Sequence, residues 1–302
     1  MGEPPSDRSR QSRETRGDRW TIGELLNWTT ARLEELGVTE ARTDAQHLLA
    51  HALGCSRMDL YVRFHELLSP AQRAGFRELV KRRLAREPVA YIEGKRGFHA
   101  LDLELAVDTR ALIPRADTEI LVDWVLETTP ADAPRRVVDV GTGSGALALS
   151  LKHSRPQWSV TACDVSAEAL ALAKENAALH ALEVEFVESD LLANVAGPDG
   201  GWELIVANLP YIPSEDIETL APEVRSYEPR LALDGGEDGL DLIRRLVAQT
   251  LREGIFAPSG VLYLEFGIHQ STAVTTLALE AGLACELRDD LGGIPRVARL
   301  TR

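Results

Sequence analysis

A glycine-rich turn at residues 141–145 constrains the fold of this chain more than any other feature of the sequence. A short β-branched run at residues 136–140 leads into the turn, and an alanine- and leucine-rich run follows it. Glycines tolerate positive φ and let the main chain approach a ligand closely. The helix that should follow presents free N–H groups and a positive dipole end toward the turn. The pattern therefore predicts a strand, a ligand-binding turn and a helix.

Asp164 follows a second strand-like run, 23 residues after Gly141. Its carboxylate suits a ribose diol because it accepts two hydrogen bonds at once. The spacing of Gly141, Gly143 and Ala146 also satisfies the dinucleotide fingerprint, with Asp164 at the expected acidic position. From this turn alone, a nicotinamide enzyme and an S-adenosylmethionine enzyme are equally plausible. Asp139, at the end of the first strand, is expected either to order the amides of the turn or to face a cationic end of the cofactor.

The segment Asn208-Leu209-Pro210-Tyr211 ends a further apolar run and separates these two interpretations. It places a carboxamide and a rigid turn at the carboxyl end of a strand, where open α/β sheets bind ligands. An amide oxygen beside a backbone carbonyl can accept both hydrogens of a planar NH2 group. Alone, the segment is equally compatible with a strand that ends in a simple proline turn. Together with the glycine turn, it favours a methyltransferase that acts on an amino or amide nitrogen.

With these two motifs, several further segments occur in order from about residue 20 to the C-terminus. In these segments the chain resembles the protein-(glutamine-N5) methyltransferases that modify peptide chain release factors. They are a family within the class I S-adenosylmethionine-dependent methyltransferases. The segments are residues 87–94 with Phe98, 112–119 (Leu-Ile-Pro-Arg-Ala-Asp-Thr-Glu), 139–145, 208–211, 227–236 (Tyr-Glu-Pro-Arg-Leu-Ala-Leu-Asp-Gly-Gly), 239–241, 264–267 and 290–297.

The resemblance implies an α/β fold with a seven-stranded, mostly parallel Rossmann-like sheet whose last strand is antiparallel. It implies methyl transfer from S-adenosylmethionine to the glutamine of the Gly-Gly-Gln motif of a release factor. The residues expected to bind the cofactor are Gly141, Thr142, Gly143, Ser144, Gly145, Asp164, Asp190, Leu191 and Asn208. The residues expected to bind the substrate amide are Asn208, Leu209, Pro210 and Tyr211, and catalysis is assigned to Asn208, Pro210 and Tyr211.

Two positions depart from the family pattern. Leu209 replaces the first proline of Asn-Pro-Pro-Tyr, and Ala116 replaces a common proline after Arg115. Asn-Leu-Pro-Tyr is more typical of ribosomal-RNA adenine dimethyltransferases, so an adenine-N6 methyltransferase acting on RNA or DNA stays an alternative. We expect the amide clamp, which is formed by the side-chain oxygen of Asn208 and the backbone carbonyl of Leu209, to survive. Position 209 contributes only its backbone carbonyl, and Pro210 still restrains it.

Other polar residues near these segments are ambiguous. Phe98 and Arg115 match segments that border the cofactor pocket, although Arg115 could instead pair with Asp117 or Glu119. Glu265 is expected to be a buried carboxyl at a strand end and receives no catalytic role. A non-catalytic binding module with a vestigial fold is disfavoured, because the glycine turn, Asp164 and the clamp are all intact.

The composition agrees with an enzyme that acts on a basic protein. The 302 residues suffice for two domains, and the net charge of −14 argues against a general nucleic-acid surface. A basic run at residues 81–83 is expected to be a solvated helix face. Three widely spaced cysteines indicate neither a disulfide framework nor a metal site, and are expected to be small buried side chains in a reducing cytoplasm. No stretch approaches the roughly 20 apolar residues of a membrane span. A soluble, monomeric protein is expected.

Periodicity divides the chain into four parts. Residues 1–19 carry five arginines without apolar residues that could form a core, and are predicted to be a disordered tail. Residues 20–88 show helical spacing and are predicted to form a small substrate-docking domain of four or five helices. Residues 89–112 alternate like strands and are predicted to form a hairpin linker. Residues 113–302 alternate strands with helices and are predicted to be the methyltransferase domain.

Overall fold

The computed structural model describes residues 19–302, so the predicted disordered tail lies almost entirely outside the described residues. The chain divides into two compact units between Glu93 and Gly94. None of the described helices combines the length and apolar composition that crossing a membrane requires.

The first unit is helical throughout its described part. Its helices are α1 (Ile22–Glu35), α2 (Ala41–Leu53), α3 (Arg57–Val62), α4 (Pro70–Leu84) and α5 (Val89–Glu93). Thr21 and Glu24 form the predicted capping box at the start of α1, and Ser69 caps α4 with a proline at its first turn. Apolar side chains of all five helices meet in one core, which includes Ile22, Leu48, Leu60, Phe76 and Ile92.

The basic run at the end of α4 is a solvated helix face at Lys81 and Arg82, as the sequence predicts, but not at Arg83. Lys81 pairs with Glu78, and Arg82 pairs with Glu87. The Arg83 side chain is buried, and its Nε donates to Asp44 at 2.8 Å. These pairs neutralise the run, since each cation has a carboxylate partner.

The predicted hairpin linker is shorter than expected. Residues after Pro88 form α5, whose first turn is closed by the Ile92 N–H and the Pro88 carbonyl. Strands β1 (Lys95–Phe98) and β2 (Ala100–Ala106) then pair antiparallel. Their apolar side chains Phe98, Leu103 and Leu105 are buried in a core cluster of the second unit. The hairpin is therefore part of that unit's core and not a separate linker.

The second unit is built on a seven-stranded sheet covered by helices. Its strands are β3 (Arg136–Val140), β4 (Ser159–Asp164), β5 (Glu185–Glu188), β6 (Trp202–Asn208), β7 (Phe256–Glu265), β8 (Ala284–Asp289) and β9 (Pro295–Thr301). Its α-helices are α6 (Ala116–Thr128), α7 (Ala146–Ser154), α8 (Ala167–Leu179), α9 (Pro222–Tyr227), α10 (Asp241–Thr250) and α11 (Ser271–Glu280), with 3-10 turns at Asp216–Thr219 and Arg230–Ala232.

The strand order is β5-β4-β3-β6-β7-β9-β8, and β9 runs antiparallel to both of its neighbours. The other strand pairs are parallel. The central strands are apolar on both faces because helices cover both sides of a parallel sheet, and Val137, Val138 and Val140 are fully buried. The predicted fold, with its antiparallel last strand, is confirmed.

The order of connection creates a crevice at the carboxyl edge of the sheet. From β3 the chain passes through α7 to β4 on one side, whereas β6 pairs on the other side of β3. Ligands of open α/β sheets bind at such a reversal, outside the carboxyl ends of the strands. The ends of β3, β4 and β6 carry Val140, Asp164 and Asn208 respectively.

Candidate active site

A cavity of about 570 Å³ opens at this reversal, a size that suits a small-molecule ligand. Most of the residues predicted from the sequence line it. They are Gly141, Thr142, Gly143, Ser144, Asp164, Asp190, Leu191, Asn208, Leu209 and Pro210. Gly145 and Tyr211 do not line it.

The glycine turn has the backbone conformation that its sequence predicts. Gly141, Gly143 and Gly145 all have positive φ. A Cβ at Gly141 would lie 2.9 Å from Cδ2 of Leu209, so this glycine packs directly beneath the clamp segment. A Cβ at Gly145 would lie 3.0 Å from Leu149 and 3.3 Å from Ala173, so its role is to pack helices and not to face the cavity.

Asp139 orders the turn from beneath. Its Oδ2 atom accepts hydrogen bonds from the Thr142 hydroxyl at 2.6 Å and from the Ala148 N–H at 3.1 Å. The residue is fully buried, and its Oδ1 atom has no hydrogen-bond partner within residues 19–302. Burial raises the pKa of Asp139 to about 7, against the effect of the two hydrogen bonds. Of its two expected roles, the ordering of the turn is the one that these contacts support.

Asp164 lies at the end of β4 with its carboxylate at the cavity. Oδ2 accepts the Gly143 N–H at 2.9 Å, and Oδ1 accepts the Ser166 N–H at 2.9 Å. Burial raises the pKa of Asp164, and these backbone N–H groups partly oppose the change. Because a carboxylate has about four lone-pair positions, both oxygens keep capacity for a diol.

Asp190 and Leu191 form another part of the cavity wall. Asp190 is exposed, and its Oδ2 atom pairs with Arg245 of α10 at 2.5 Å. Leu191 is buried with a positive φ of 52°, and its carbonyl accepts the Cys163 thiol at 3.4 Å. The pair with Arg245 was not anticipated from the sequence, which assigned Asp190 to the adenine of the cofactor. That assignment stays a prediction.

Asn208 presents an unused oxygen toward the cavity edge. Its Nδ2 atom donates to the Thr118 hydroxyl of α6 at 2.9 Å, whereas Oδ1 has no partner among the side chains and main chain of residues 19–302. The Leu209 carbonyl likewise accepts no hydrogen bond within that range. Two adjacent acceptors are thus available at this point, as an NH2 clamp requires.

Tyr211 lies behind the clamp and not in the cavity wall. Its hydroxyl donates to Oε1 of Glu265 at 3.2 Å. Burial, followed by the charge of Glu265, raises the pKa of Tyr211, so the phenol stays protonated. Glu265 sits beside Asn208 in the β6–β7 register, and its Oε2 atom is buried without a partner in the described part of the chain.

A second segment, residues 233–239, packs against the backbone of the clamp and of the residues that follow it. The Ile212 N–H donates to Leu233, and the Gly235 N–H donates to Ile212 at 2.8 Å. A Cβ at Gly239 would overlap the Tyr211 carbonyl oxygen, which accepts Nε2 of Gln270 at 2.9 Å. A Cβ at Gly235 would lie 2.7 Å from the Pro210 carbonyl oxygen, so Gly235 and Gly239 are both explained by close backbone packing against the clamp.

Arg115 pairs with Glu228 instead of Asp117 or Glu119. The Glu228 side chain is buried, and it also accepts the Ile113 N–H at 3.3 Å. Burial raises the pKa of Glu228, whereas Arg115 lowers it. This pair joins two of the segments on which the family resemblance rests, at the rim of the cavity. Phe98 and Arg115 both line the cavity.

Sequence reasoning missed the partners of the clamp. Thr118, Glu228 and Gln270 were given no role, and Glu265 was considered only as a strand-end carboxyl. A signal was present, since all except Gln270 fall inside the segments on which the resemblance rests. Cys55 and Cys285 are partly exposed, in contrast to the expectation that they are buried, whereas Cys163 is buried.

Comparisons with known proteins identify the family and agree with the fold. Residues 24–94 match the family described as PrmC N-terminal domain, and residues 116–223 match the methyltransferase small domain. The hMettl16 catalytic domain, solved in complex with MAT2A 3'UTR hairpin 6, has a TM-score of 0.50 at 15% identity. That comparison covers 66% of this chain and 75% of the other, and it concerns the fold alone.

Curated relatives are similar over almost the whole length. The release factor glutamine methyltransferase of Geobacter sulfurreducens is 42% identical over 279 residues, covering 92% of this chain and 95% of the relative. The Deinococcus radiodurans protein of the same name is 43% identical over 281 residues, covering 93% and 98%. The chain therefore belongs to the release factor glutamine methyltransferase family.

Proposed function

We propose that this enzyme transfers a methyl group from S-adenosylmethionine to the side-chain amide nitrogen, N5, of the glutamine in the Gly-Gly-Gln motif of a peptide chain release factor. One observation carries the proposal. The free Oδ1 atom of Asn208 and the free carbonyl of Leu209 lie at the carboxyl edge of the sheet, next to the glycine turn. Two adjacent acceptors match the two hydrogens of a primary amide.

The residues of the cavity fit S-adenosylmethionine. Gly141 and Gly143 carry no side chains, so the backbone of the turn is open to a ligand at these two positions. Asp164 keeps lone pairs for a ribose diol, and the partnerless Oδ1 of buried Asp139 leaves a further polar atom beneath the turn. When bound, S-adenosylmethionine supplies an electrophilic methyl group. Because we propose S-adenosylmethionine as the cofactor, we no longer favour a nicotinamide enzyme, the other interpretation of the glycine turn.

Asn208 and Leu209 act on the nucleophile. An amide nitrogen is a poor nucleophile because its lone pair is delocalised into the carbonyl group. Acceptors that hold both N–H groups out of the amide plane favour pyramidalisation and fix the direction of the lone pair. Positioning and preorganised dipoles should therefore supply most of the acceleration. Pro210 stiffens the segment, and the burial of Tyr211 holds it in place.

The charge of the chain supports a protein substrate. A net charge of −14 favours encounter with a basic partner and disfavours stable binding to nucleic acid. We propose that the helical first unit contributes to substrate docking, and that the protein acts as a monomer in the cytoplasm. The adenine-N6 alternative is not favoured, because the curated relatives at about 40% identity are named as glutamine methyltransferases.

The proposal is tested by methyl transfer from labelled S-adenosylmethionine to purified release factor. A release factor with its Gly-Gly-Gln glutamine changed to alanine is the control, and structured ribosomal RNA is assayed in parallel. We expect label on the wild-type release factor, and none on the alanine variant or on the RNA. Label on the RNA instead would reject glutamine as the substrate and restore the adenine alternative.

A further inference from the structure

Arg115, at the rim of the cavity, is held by a buried carboxylate and keeps hydrogen-bond donors of its own. Its Nη2 atom pairs with Oε1 of Glu228, whose side chain is only 1% exposed and also accepts the Ile113 N–H at 3.3 Å. Nε and Nη1 of Arg115 have no acceptor within residues 19–302, and its side chain is 38% exposed. Because the buried carboxylate fixes the guanidinium group, the remaining N–H groups are offered to a ligand in a defined position.

Hydrogen bonds place Arg115 close to the clamp. The Arg115 carbonyl accepts the N–H of Thr118 at 3.1 Å, within the first turn of α6. The hydroxyl of Thr118 in turn accepts Nδ2 of Asn208, at the end of β6. Strand β6 pairs with β3, whose end leads into the glycine turn. Arg115 therefore lies on the β3–β6 side of the cavity.

The other cations of the cavity wall are engaged elsewhere. Among the described residues, three further arginines line the cavity, and each pairs with acidic side chains. They are Arg110 with Asp108 and Glu175, Arg230 with Asp234 and Glu218, and Arg245 with Asp190. Every guanidinium nitrogen of Arg110 and Arg230 lies within 3.8 Å of a carboxylate oxygen. The Asp190 partner of Arg245 follows β5, two strands from β3 in the sheet. Arg115 is thus the cation that can serve a ligand group on the β3–β6 side.

The backbone of the glycine turn has little capacity left for an anion, although helix N-termini often bind one. Of the five N–H groups of residues 141–145, four donate to protein acceptors. Those of Gly141 and Thr142 donate to the Cys163 carbonyl, and those of Gly143 and Gly145 donate to Asp164 and to the Thr142 carbonyl respectively. An anion beside the turn therefore gains from a donor that another segment supplies.

The methionyl end of S-adenosylmethionine carries such an anion, a carboxylate. The ribose is assigned to Asp164 at the end of β4, and the methyl group must reach Asn208 at the end of β6. The sulfonium that carries this methyl group also carries the methionyl chain. The carboxylate of that chain therefore falls on the β3–β6 side, where Arg115 keeps free N–H groups. Hydrogen bonds from a guanidinium group to a carboxylate are stronger than those between neutral groups.

We propose that Arg115, oriented by Glu228, binds the methionyl carboxylate of S-adenosylmethionine and selects ligands that carry it. The inference rests on the cofactor of the proposed function and not on the choice of methyl acceptor. It assigns Arg115 to ligand recognition, and it assigns Glu228 to the positioning of Arg115.

Calorimetry with two ligands isolates this contact. Decarboxylated S-adenosylmethionine keeps the sulfonium and the ammonium group and lacks only the carboxylate. The wild type should bind S-adenosylmethionine about 10- to 100-fold more tightly than the decarboxylated ligand. Arg115→Gln should lose about 10- to 100-fold in affinity for S-adenosylmethionine, and less than about twofold for the decarboxylated ligand.

Two further variants guard against an indirect effect. Arg115→Gln alone leaves the buried carboxylate of Glu228 unpaired, which destabilises the cavity wall. The double variant Arg115→Gln/Glu228→Gln places two neutral amides side by side, and it should show the same selective loss. Arg288→Gln is the matched control, because the Arg288 side chain is 32% exposed, pairs with Glu127 at 2.7 Å and does not line the cavity. It should bind both ligands like the wild type.

The proposal is overturned if Arg115→Gln binds both ligands like the wild type, or if the variants lose affinity for the two ligands equally, as a displaced cavity wall predicts. A raised KM for release factor with unchanged affinity for S-adenosylmethionine would assign Arg115 to the methyl acceptor and also overturn it. If the wild type binds S-adenosylmethionine but methylates no release factor, the proposed function fails, whereas the calorimetric comparison still decides the role of Arg115.

Discussion

Nδ2 of Asn208, at the end of β6, donates a hydrogen bond of 2.9 Å to the hydroxyl of Thr118 in the first turn of α6. This bond fixes the side-chain amide of Asn208 at the point where substrate is proposed to bind. It also joins the sheet edge to a helix, so the acceptor oxygen is held by two rigid elements. Preorganisation of this kind lowers the entropic cost of reaching the reactive geometry.

Replacement of Asn208 by alanine should abolish most of the activity. Asn208→Ala removes one of the two acceptors for the substrate amide, so kcat should fall by about 10²-fold or more. The measurement is the single-turnover rate with labelled S-adenosylmethionine. Binding of S-adenosylmethionine, followed by calorimetry, should change by less than about tenfold. Near-normal turnover would rule out the clamp.

The backbone packing of Gly239 against the clamp should be essential. An alanine there carries a strained positive φ of 77° and a methyl group that overlaps the Tyr211 carbonyl oxygen and lies 2.6 Å from Nε2 of Gln270. The strained backbone costs about 1–3 kcal/mol, and a displaced clamp should lower kcat by about tenfold or more. Thermal unfolding and turnover measure the two effects.

Gly254 offers a matched control for this variant. Its φ is 76°, and a Cβ at this position would meet no atom within 4 Å. Gly254→Ala should therefore lose stability from the backbone alone and keep the wild-type kcat. Equal kinetic losses in the two variants would contradict the close-packing argument.

The sequence predicted the strand–turn–helix unit, the acidic residue at the end of β4 and the clamp, because each depends on local pattern. The β-branched run before Gly141 predicts a strand, and the glycine turn after it predicts a ligand-binding loop. Fold class followed from the alternation of strands and helices. These features need no knowledge of which distant segments meet.

The partners of the clamp could not be predicted in the same way. Thr118 is 90 residues from Asn208, and Glu265 meets Asn208 only through the register of β6 and β7. Side-chain pairs of this kind depend on tertiary packing. Helix α5 was not predicted, because residues 89–93 are few and their apolar pattern is compatible with either a helix or a strand.

Leu209 should support the glycine turn as well as the clamp. Its side chain is 3% exposed, and Cδ2 fills the space beside Gly141. Leu209→Ala should lower the free energy of unfolding by about 2–5 kcal/mol, as other buried leucine truncations do. It should also weaken S-adenosylmethionine binding, because the turn loses its packing. Denaturant titration and calorimetry test both expectations, and unchanged cofactor affinity would show that the turn holds its shape without Leu209.

The buried carboxyl of Asp139 should make stability depend on pH. Its pKa is raised to about 7 in the folded chain, whereas an aspartate in an unfolded chain has a pKa of about 4. Between these values the folded state keeps a proton that the unfolded state has lost. The contribution of Asp139 to the free energy of unfolding should therefore decrease as pH rises, by up to about 1.4 kcal/mol per pH unit.

Asp139→Asn removes this titration. The difference in free energy of unfolding, variant minus wild type, should thus rise from about pH 4 to pH 7 and become constant above that range. Glu265, whose pKa burial also raises, contributes a dependence of the same sign, but it is present in both proteins and cancels in the difference. Asp132→Asn, at an exposed position, is the matched control and should give a constant difference. Denaturant unfolding at each pH is the measurement, and a flat difference for Asp139→Asn would show that this carboxyl is ionised throughout in the folded chain.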